Sequence, residues 1–383
     1  MIVGIVSDVI YGYISGLAIF TKRLIEQLSN NVEKVIVLTS DDKQRIEERG
    51  NVKIYYFKGF TLKRFKEGSL GIYPLNTIKD ILQQEKVSVV HCQLASPMGA
   101  VTVYYSRKFN IPVIFTSHIQ PENIMKNFNW KSQGVKSFFY KYATWIYNFC
   151  DHITCPSRLA KKELQEYGID SNARLSIISN GIDANQFIPK NIASDPVILF
   201  IGRIMPEKCI ATLIHASSIV KKRYPEYKFV IGGGGYALDE LKSLAKTVNP
   251  DIIFTDKLTD TEIIDYFQRC YVFVLPSESE LQGIALLEAM SCGKPTIASD
   301  SEYSAARDLA NFTFRHNDYN DLAEKIIYLI ENKNLVEELS RRNREEIINN
   351  HDYSIITRLF IDLYERSIQE KAMELSLSQV PEK

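Results

Sequence analysis

The sequence predicts an α/β fold made of two doubly wound parallel-sheet domains in tandem. Short β-branched runs alternate with longer amphipathic segments, the pattern restarts in mid-chain, and a polar stretch with two prolines separates the two parts. The 383 residues are also too many for one ordinary core. Continuous apolar strands joined by helices are typical of a parallel sheet covered on both faces.

The elements follow in order along each half. The first-half strands are predicted at Ile2–Ser7, Lys34–Thr39, Val52–Phe57, Val87–His91, Val113–Thr116, Ile153–Pro156 and Leu175–Ile178, with helices at Leu17–Ser29, Thr77–Glu85 and Ser157–Tyr167. The second-half strands are predicted at Val197–Ile201, Lys228–Ile231, Ile252–Phe254, Val272–Leu275 and Thr296–Ala298, with helices at Leu213–Lys222, Leu238–Val248, Thr261–Arg269 and Ile284–Ser291. We place the domains at 1–188 and 189–351, with a helix at about 352–375 returning to the first, and expect a cleft between them.

Composition excludes several classes of protein. Equal numbers of basic and acidic side chains, 46 of each, and 45% hydrophobic residues are typical of a globular chain. The six cysteines are scattered, so neither a disulfide framework nor a zinc site is expected, and a reducing cytoplasm is favoured. No apolar run is long enough to span a bilayer, and Asp8 comes too early for a signal peptide.

Charge is divided unevenly along the chain. Residues 1–190 carry 24 Lys and Arg against 16 Asp and Glu, a balance of +8, and the remainder carries −8. A basic half favours an anionic partner such as a membrane, although drift in surface composition would give the same count. Nucleic acid is not expected, because no DNA- or RNA-binding motif accompanies the basic residues.

A loop with two cations follows the first strand of the second half. Gly202 ends the strand, and Arg203 and Lys208 come before a helix whose N-terminus favours anions. Arginine offers a planar fork of donors and lysine a point charge, so a diphosphate is the natural ligand. A surface turn with two solvated cations is the alternative.

Four consecutive glycines, Gly232–Gly235, follow the next strand. With Asp256 about twenty residues further on, they match a dinucleotide-binding fingerprint, but they do not belong to an opening βαβ unit. We interpret them as a turn whose backbone approaches a ligand closely, with a flexible structural turn as the alternative.

Two glutamates accompany the start of a later helix. Glu280 lies in the loop after a strand, and Glu288 lies about two helical turns further on. Carboxylates beside one crevice suit the hydroxyls of a hexose and a ribose, whereas a helix cap and a solvated glutamate are the alternative.

A histidine follows a strand of the first half. His118 comes just after the predicted strand Val113–Thr116, and ligands of parallel sheets bind at this end of the strands. A lone histidine is, however, also a common structural residue.

Together these residues resemble the retaining GT-B glycosyltransferases of family 4, group 1, over nearly the whole chain. The resembling pieces are Gly16, His118, Asn180–Asp183, Gly202 and Arg203 with Glu207 and Lys208, Gly232–Gly235, and Glu280 with Glu288. The stretches 117–123 and 280–283 resemble a subgroup that includes transferases glycosylating diacylglycerol. The GT-B fold consists of two Rossmann-like domains.

The resemblance implies a nucleotide-sugar donor held mostly by the C-terminal domain. It assigns the diphosphate to Arg203 and Lys208, the ribose to Glu288, and the sugar hydroxyls to Glu280, with His118 as a second catalytic residue. The further donor-binding positions that it implies are Gly16, Gly233, Leu281, Gln282, Gly283 and Ile284. It also implies retention of the anomeric configuration by same-face attack. No cofactor is expected and, since no Asp-x-Asp motif appears, no essential metal.

The chain departs from the family pattern at four places. Cys209 stands where glycine is common, Leu281 stands where many members have phenylalanine, and 301–304 replaces a frequent Gly-Gly turn. The loop 13–16 lacks the paired glycines that the family often has. Leu281 fits the subgroup with lipid acceptors.

Two stretches, 53–67 and 126–149, interleave cations with aromatic residues, and the second contains no acidic residue. This composition suits anionic lipid headgroups, although the aromatics could instead form core or interdomain wall. The predicted membrane and acceptor side comprises Lys63, Arg64, Lys131, Lys136 and Lys141.

We therefore predict a cytoplasmic hexosyltransferase, peripheral on the inner face of the cell membrane. It would move a hexose from a nucleotide sugar to a lipid hydroxyl, that of diacylglycerol. The alternatives are an acceptor that is a polysaccharide or cell-wall precursor, a GT-B nucleotide-sugar epimerase, an NAD-linked dehydrogenase, and a non-catalytic sugar-binding protein.

Overall fold

A computed structural model shows two compact units, each built on a parallel sheet. The structure describes residues 1–11, 16–61, 69–71, 75–118, 133–169, 174–190 and 195–378. Unit 1 comprises Met1–Ser179 and Ser354–Lys383, and unit 2 comprises Asn180–Tyr353. The predicted fold class, α/β with two doubly wound units, is confirmed.

The sheet described for unit 1 has nine strands. They are β1 (Ile2–Val6), β2 (Lys34–Asp41), β3 (Arg45–Arg49), β4 (Val52–Thr61), β5 (Ser69–Gly71), β6 (Val89–Cys92), β7 (Val113–Thr116), β8 (His152–Cys155) and β9 (Leu175–Ile177). Their order is β3-β4-β2-β1-β6-β7-β8-β9, with β5 beside β4. Only the pairings of β4 with β3 and β5 are antiparallel among these described strands.

Helices cover this sheet, and the last one returns from the end of the chain. They are α1 (Gly16–Ser29), α2 (Leu75–Gln84), α3 (Pro97–Lys108), α4 (Gln133–Tyr147), α5 (Arg158–Glu166) and, after unit 2, α12 (Tyr353–Ser378). Phe360 and Tyr364 of α12 are fully buried in the core beside β1. The Tyr364 hydroxyl lies 2.6 Å from Nδ1 of the buried His91 in β6, so α12 belongs to this core.

Unit 2 repeats the doubly wound plan. Its strands are β10 (Val197–Ile201), β11 (Lys228–Gly232), β12 (Ile253–Thr255), β13 (Val272–Leu275), β14 (Ser279–Glu280), β15 (Thr296–Ser299), β16 (Tyr303–Ser304) and β17 (Phe312–Phe314). Its helices are α6 (Ile210–Arg223), α7 (Leu238–Val248), α8 (Asp260–Arg269), α9 (Ile284–Ser291), α10 (Tyr319–Glu331) and α11 (Lys333–Asn350). The main sheet has the order β12-β11-β10-β13-β15-β17, and β14 pairs with β16 alone. Because all these pairings are parallel, the loops that follow the strands gather at one edge.

Residues 180–188, which we expected in the first domain, belong to unit 2. The Ile182 carbonyl accepts a 3.0 Å hydrogen bond from the Tyr353 amide. The Arg344 guanidinium donates a 2.8 Å hydrogen bond to the Ala184 carbonyl. These bonds connect residues far apart in the sequence, which is why a local composition signal could not reveal them.

Candidate functional site

Two of the predicted residues of unit 2 are in direct contact. Lys208 ends a 3₁₀ turn, Pro206–Lys208, that follows β10, and Glu280 lies in β14, just after β13. Since β10 and β13 are neighbours in the sheet, the two loops meet. Lys208 Nζ lies 2.6 Å from Glu280 Oε1, and the side chains are only 13% and 14% exposed. The structure thus joins a partly buried cation and a partly buried carboxylate at the edge where ligands of such sheets bind.

Arg203 lies on the same loop and faces a second carboxylate. Its Nη2 lies 3.9 Å from Oε1 of Glu207, a side chain that is 3% exposed. The Glu207 carbonyl also accepts a 2.8 Å hydrogen bond from the Glu278 amide, which ties this loop to the one after β13. The sequence motif contained Glu207, but only the structure shows that its carboxylate is buried beneath the guanidinium of Arg203.

The glycine turn packs against this loop through backbone alone. A Cβ atom on Gly233, whose φ is +122°, would lie 2.0 Å from the Gly202 carbonyl oxygen, and one on Gly235 would lie 1.9 Å from that of Ile204. The Ile204 amide donates a 2.9 Å hydrogen bond to the Gly234 carbonyl. Glycine is therefore required at positions 233 and 235 because the backbone of Gly202 and Ile204 lies so close. This contact holds the loop that carries Arg203.

The predicted residues 281–284 and Glu288 follow Glu280 directly. Gly283 precedes α9 with a φ of +87°, which glycine adopts without strain. The buried Gln282 accepts a 2.8 Å hydrogen bond from the Asn180 amide. Leu281, Ile284 and Glu288 are partly exposed, Glu288 in the second turn of α9. The first amides of α9 thus lie next to Glu280 in the chain, where a helix leaves N–H groups without intrahelical partners.

A short parallel ladder, which no pattern in the sequence predicted, holds Glu280. Glu280 pairs with Ser304 in the β14–β16 ladder, and Ser301 Oγ donates a 2.6 Å hydrogen bond to the Glu278 carbonyl. The segment 301–304, which departs from the family pattern, is therefore the direct support of Glu280. A two-residue strand carries no periodicity, so no pattern could have predicted this pairing.

In unit 1, His118 follows β7 and lies beside a residue that sequence reasoning missed. Its Nε2 is 2.9 Å from Oε1 of Gln93, a fully buried residue after β6, and the Phe20 ring centroid is 4.8 Å from its own. Burial lowers the pKa of His118 to about 3, so the imidazole is neutral. Since an amide oxygen only accepts, we assign the proton to Nε2, which leaves Nδ1 as an acceptor.

The predicted membrane side is only partly described. Lys63, Arg64 and Lys131 lie outside the described residues, and Lys136 is in α4 but its side chain is not described. Lys141 is exposed on α4. Gly16 is exposed as the first residue of α1, while the rest of its loop lies outside the described ranges.

A basic–aromatic face, comprising Tyr104, Arg107, Lys108, Lys141 and Trp145, lies on α3 and α4 of unit 1. Tyr104 is 62% exposed and Trp145 is 55% exposed. Four of these residues, all except Lys141, line a pocket of about 440 Å³ between the two helices. Neither helix contains an acidic residue. None of the described helices has both the length and the apolar character needed to cross a bilayer.

Two family models match the chain in sequence. The model described as "Glycosyltransferase Family 4" matches residues 14–186, and the model described as "Glycosyl transferases group 1" matches residues 182–346. The second covers Arg203, Lys208, Glu280 and Glu288.

The chain is also similar, in sequence or in structure, to individual proteins. An uncharacterised glycosyltransferase of Methanocaldococcus jannaschii is 28% identical over 88% of this chain and 91% of its own length. The alpha-monoglucosyldiacylglycerol synthase of Streptococcus pneumoniae is 25% identical over 79% of this chain and 72% of its own. The crystal structure of HepE from Anabaena in complex with UDP superposes with a TM-score of 0.73 at 15% identity, covering 95% and 99% of the two chains.

Proposed function

The chain belongs to the GT-B glycosyltransferases of group 1 and family 4, enzymes that use nucleotide-sugar donors, and from this premise we propose that it transfers a hexose to the hydroxyl of diacylglycerol with retention of configuration. The observation that carries the proposal is the Lys208–Glu280 pair at the edge of the unit 2 sheet. It supplies a cation for a departing diphosphate and a carboxylate for sugar hydroxyls within one small region.

The chemistry that we propose follows from these charges. As the nucleoside diphosphate departs, negative charge grows on its phosphate oxygens, and Lys208 with Arg203 would stabilise that charge. The transferred sugar becomes oxocarbenium-like, and Glu280 would hold its hydroxyls during this change. Neutral His118, oriented by Gln93, would accept a hydrogen bond from a hydroxyl of the donor sugar or the acceptor.

The lipid acceptor is supported by the basic–aromatic face. Exposed Trp145 and Tyr104 with Arg107, Lys108 and Lys141 form the combination that favours an anionic membrane interface. The similarity to a monoglucosyldiacylglycerol synthase points to the same acceptor class. We propose that the protein acts at the cytoplasmic face of the cell membrane, without an essential metal or cofactor.

A donor screen on lipid vesicles tests this proposal. Release of nucleoside diphosphate is measured for each uridine and guanosine hexose donor, on anionic vesicles with and without diacylglycerol. We expect one donor to be consumed in a diacylglycerol-dependent way, and a glycolipid to appear in the same amount. Diphosphate release that is independent of diacylglycerol but dependent on a polysaccharide precursor would refute the acceptor assignment. Conversion of the donor into an isomeric nucleotide sugar, without diphosphate release, would indicate an epimerase.

A further inference from the structure

Three ligand-type side chains of unit 2 converge beside the Lys208–Glu280 pair. Cys209 Sγ, a carboxylate oxygen of Glu278 and a ring nitrogen of His316 all lie within 4.8 Å of one another, and each side chain is partly exposed. Cys209 comes after β10, Glu278 after β13 and His316 after β17. The cluster therefore forms at the edge where the ends of parallel strands meet, from positions that are far apart in the sequence.

Cys209 differs from the other cysteines in its exposure and its backbone. All six cysteines lie in described parts of the chain; five are buried, and Cys209 is partly exposed. Its φ is +46° and ψ +38°, a left-handed conformation that favours glycine, the residue common here in the family. Its amide donates a 3.0 Å hydrogen bond to the Pro206 carbonyl. The backbone at position 209 thus has a conformation that favours glycine, and cysteine differs from glycine there by its thiol side chain.

The other two residues are also held in place. The backbone of Glu278 is bonded on both sides, from its amide to Glu207 and from Ser301 Oγ to its carbonyl. The His316 amide donates a 2.8 Å hydrogen bond to Asp300 Oδ1. Its Nδ1 lies 2.8 Å from Oγ of the buried Ser299, and its Nε2 lies 3.0 Å from Nδ2 of Asn317. A metal ion would replace one of these two ring contacts, and the hydrogen bond to the other nitrogen would orient the imidazole, as is usual for a metal-binding histidine.

We propose that Cys209, Glu278 and His316 form a binding site for a thiophilic divalent cation, with Zn²⁺ as the type ion. A thiolate sulfur, an imidazole nitrogen and a carboxylate oxygen are the three ligand types of zinc, whereas Mg²⁺ and Ca²⁺ favour oxygen ligands alone. The thiolate and the carboxylate balance the charge of the ion. Three protein ligands leave one position of a tetrahedral ion open, which is the arrangement of an exchangeable site. The inference does not depend on the proposed transfer reaction.

Isothermal titration of the full, chelator-treated chain with Zn²⁺ tests the site. We expect the wild type to bind one equivalent and Cys209→Gly to bind at least about tenfold more weakly. This variant keeps its fold, because glycine suits the left-handed backbone. His316→Gln should weaken binding similarly. His215→Gln is the matched control, because His215 packs at a tilt against the ring of Tyr319 and is not in the cluster. The Zn²⁺ affinity of this variant should equal that of the wild type.

Substitution with Co²⁺ gives a second readout. A thiolate ligand produces a sulfur-to-cobalt charge-transfer absorption, which should be present in the wild type and in His215→Gln and absent in Cys209→Gly. The proposal is overturned if the wild type binds Zn²⁺ no more tightly than Cys209→Gly and His316→Gln, or if the charge-transfer band persists without Cys209.

Discussion

Lys208 and Glu280 form an ion pair, with 2.6 Å between the ammonium nitrogen and a carboxylate oxygen, although 72 positions separate them in the chain. Both side chains are mostly buried, so each depends on the other for charge compensation. A donor diphosphate that binds Lys208, as we propose, would compete with Glu280 for the same ammonium group. The pair would then couple recognition of the leaving group to placement of the carboxylate that we assign to the sugar.

Glu280→Gln keeps the size of the side chain and removes its charge. We expect turnover to fall on the order of 10³-fold, because the carboxylate no longer stabilises the oxocarbenium-like sugar. Turnover is measured as nucleoside diphosphate release, with circular dichroism to verify the fold. Glu324→Gln, which changes an exposed glutamate of α10, is the control and should retain full activity. Near-wild-type turnover of Glu280→Gln would remove this residue from the mechanism.

Lys208→Met removes the cation and leaves Glu280 without its partner. We expect kcat/KM for the donor to fall about 10²-fold, since the departing diphosphate loses an electrostatic contact. Lys242→Met, which removes a lysine of α7 that pairs with the exposed Asp256, should have little effect. Combined with Glu280→Gln, the loss should differ from additivity by about 0.5–3 kcal/mol, because the residues touch. Strict additivity would show that the pair does not act as a unit.

Gly235→Ala should destabilise unit 2, whereas Gly234→Ala should not. An added methyl group at 235 would lie 1.9 Å from the Ile204 carbonyl oxygen, but one at 234 would have no neighbour within 4 Å. We expect the first variant to lose about 1–3 kcal/mol of unfolding free energy. The urea midpoint of both variants is measured with a probe in unit 2. Equal midpoints would contradict the backbone contact.

Unit 1 should lose stability in mild acid. Burial lowers the pKa of His91 and His118 to about 3 and that of His152 to about 4. As the pH falls below about 6.5, these histidines take up protons in the unfolded chain but stay neutral in the folded chain. Their contribution to the free energy of unfolding is therefore complete above about pH 6.5 and is lost as the pH falls towards about 3–4. Within this window each histidine contributes a slope of about 1.4 kcal/mol per pH unit.

Hydrogen exchange in β6–β8, followed from about pH 7 to about pH 5, measures this loss. His152→Gln removes one of the three groups and should make the pH dependence shallower. A dependence that is equally steep in this variant would show that other groups cause the acid sensitivity.

Charge on the α4 side should govern attachment to membranes. Replacing Lys131, Lys136 and Lys141 with glutamine is expected to weaken binding to anionic vesicles about 10²-fold, since each basic residue near the surface contributes about 1 kcal/mol. The salt dependence of binding should fall with it. The control replaces three exposed lysines of unit 2, Lys222, Lys228 and Lys246. Equal partitioning of the two triple variants, measured by vesicle sedimentation, would count against this membrane surface.

The sequence predicted those features that depend on local periodicity. Apolar β-branched runs such as Val197–Ile201 predicted the parallel sheets. The order and spacing of the motifs indicated the family that the comparisons confirm. Contacts between residues that are far apart in the sequence were not predicted. The β14–β16 ladder under Glu280 is too short for a pattern, and Gln93 reaches His118 only because β6 and β7 are neighbours in the sheet.

The spacing of the cysteines could not indicate the proposed cation site for the same reason. The histidine nearest to Cys209 in the sequence is His215, which is not in the cluster, whereas Glu278 and His316 follow later strands. A search for clustered spacing cannot find side chains that a doubly wound sheet brings together at one edge. The left-handed backbone at Cys209 is likewise a property of the fold rather than of composition.

The return of α12 to the core of unit 1 has a consequence for biosynthesis. Met1–Ser179 leaves the ribosome first, but Phe360 and Tyr364, which complete its interior, are translated only after the whole of unit 2. Until then His91 lacks the hydroxyl that bonds it in the finished molecule. The nascent amino-terminal part of unit 1 therefore cannot complete its core beside β1 until α12 has been translated.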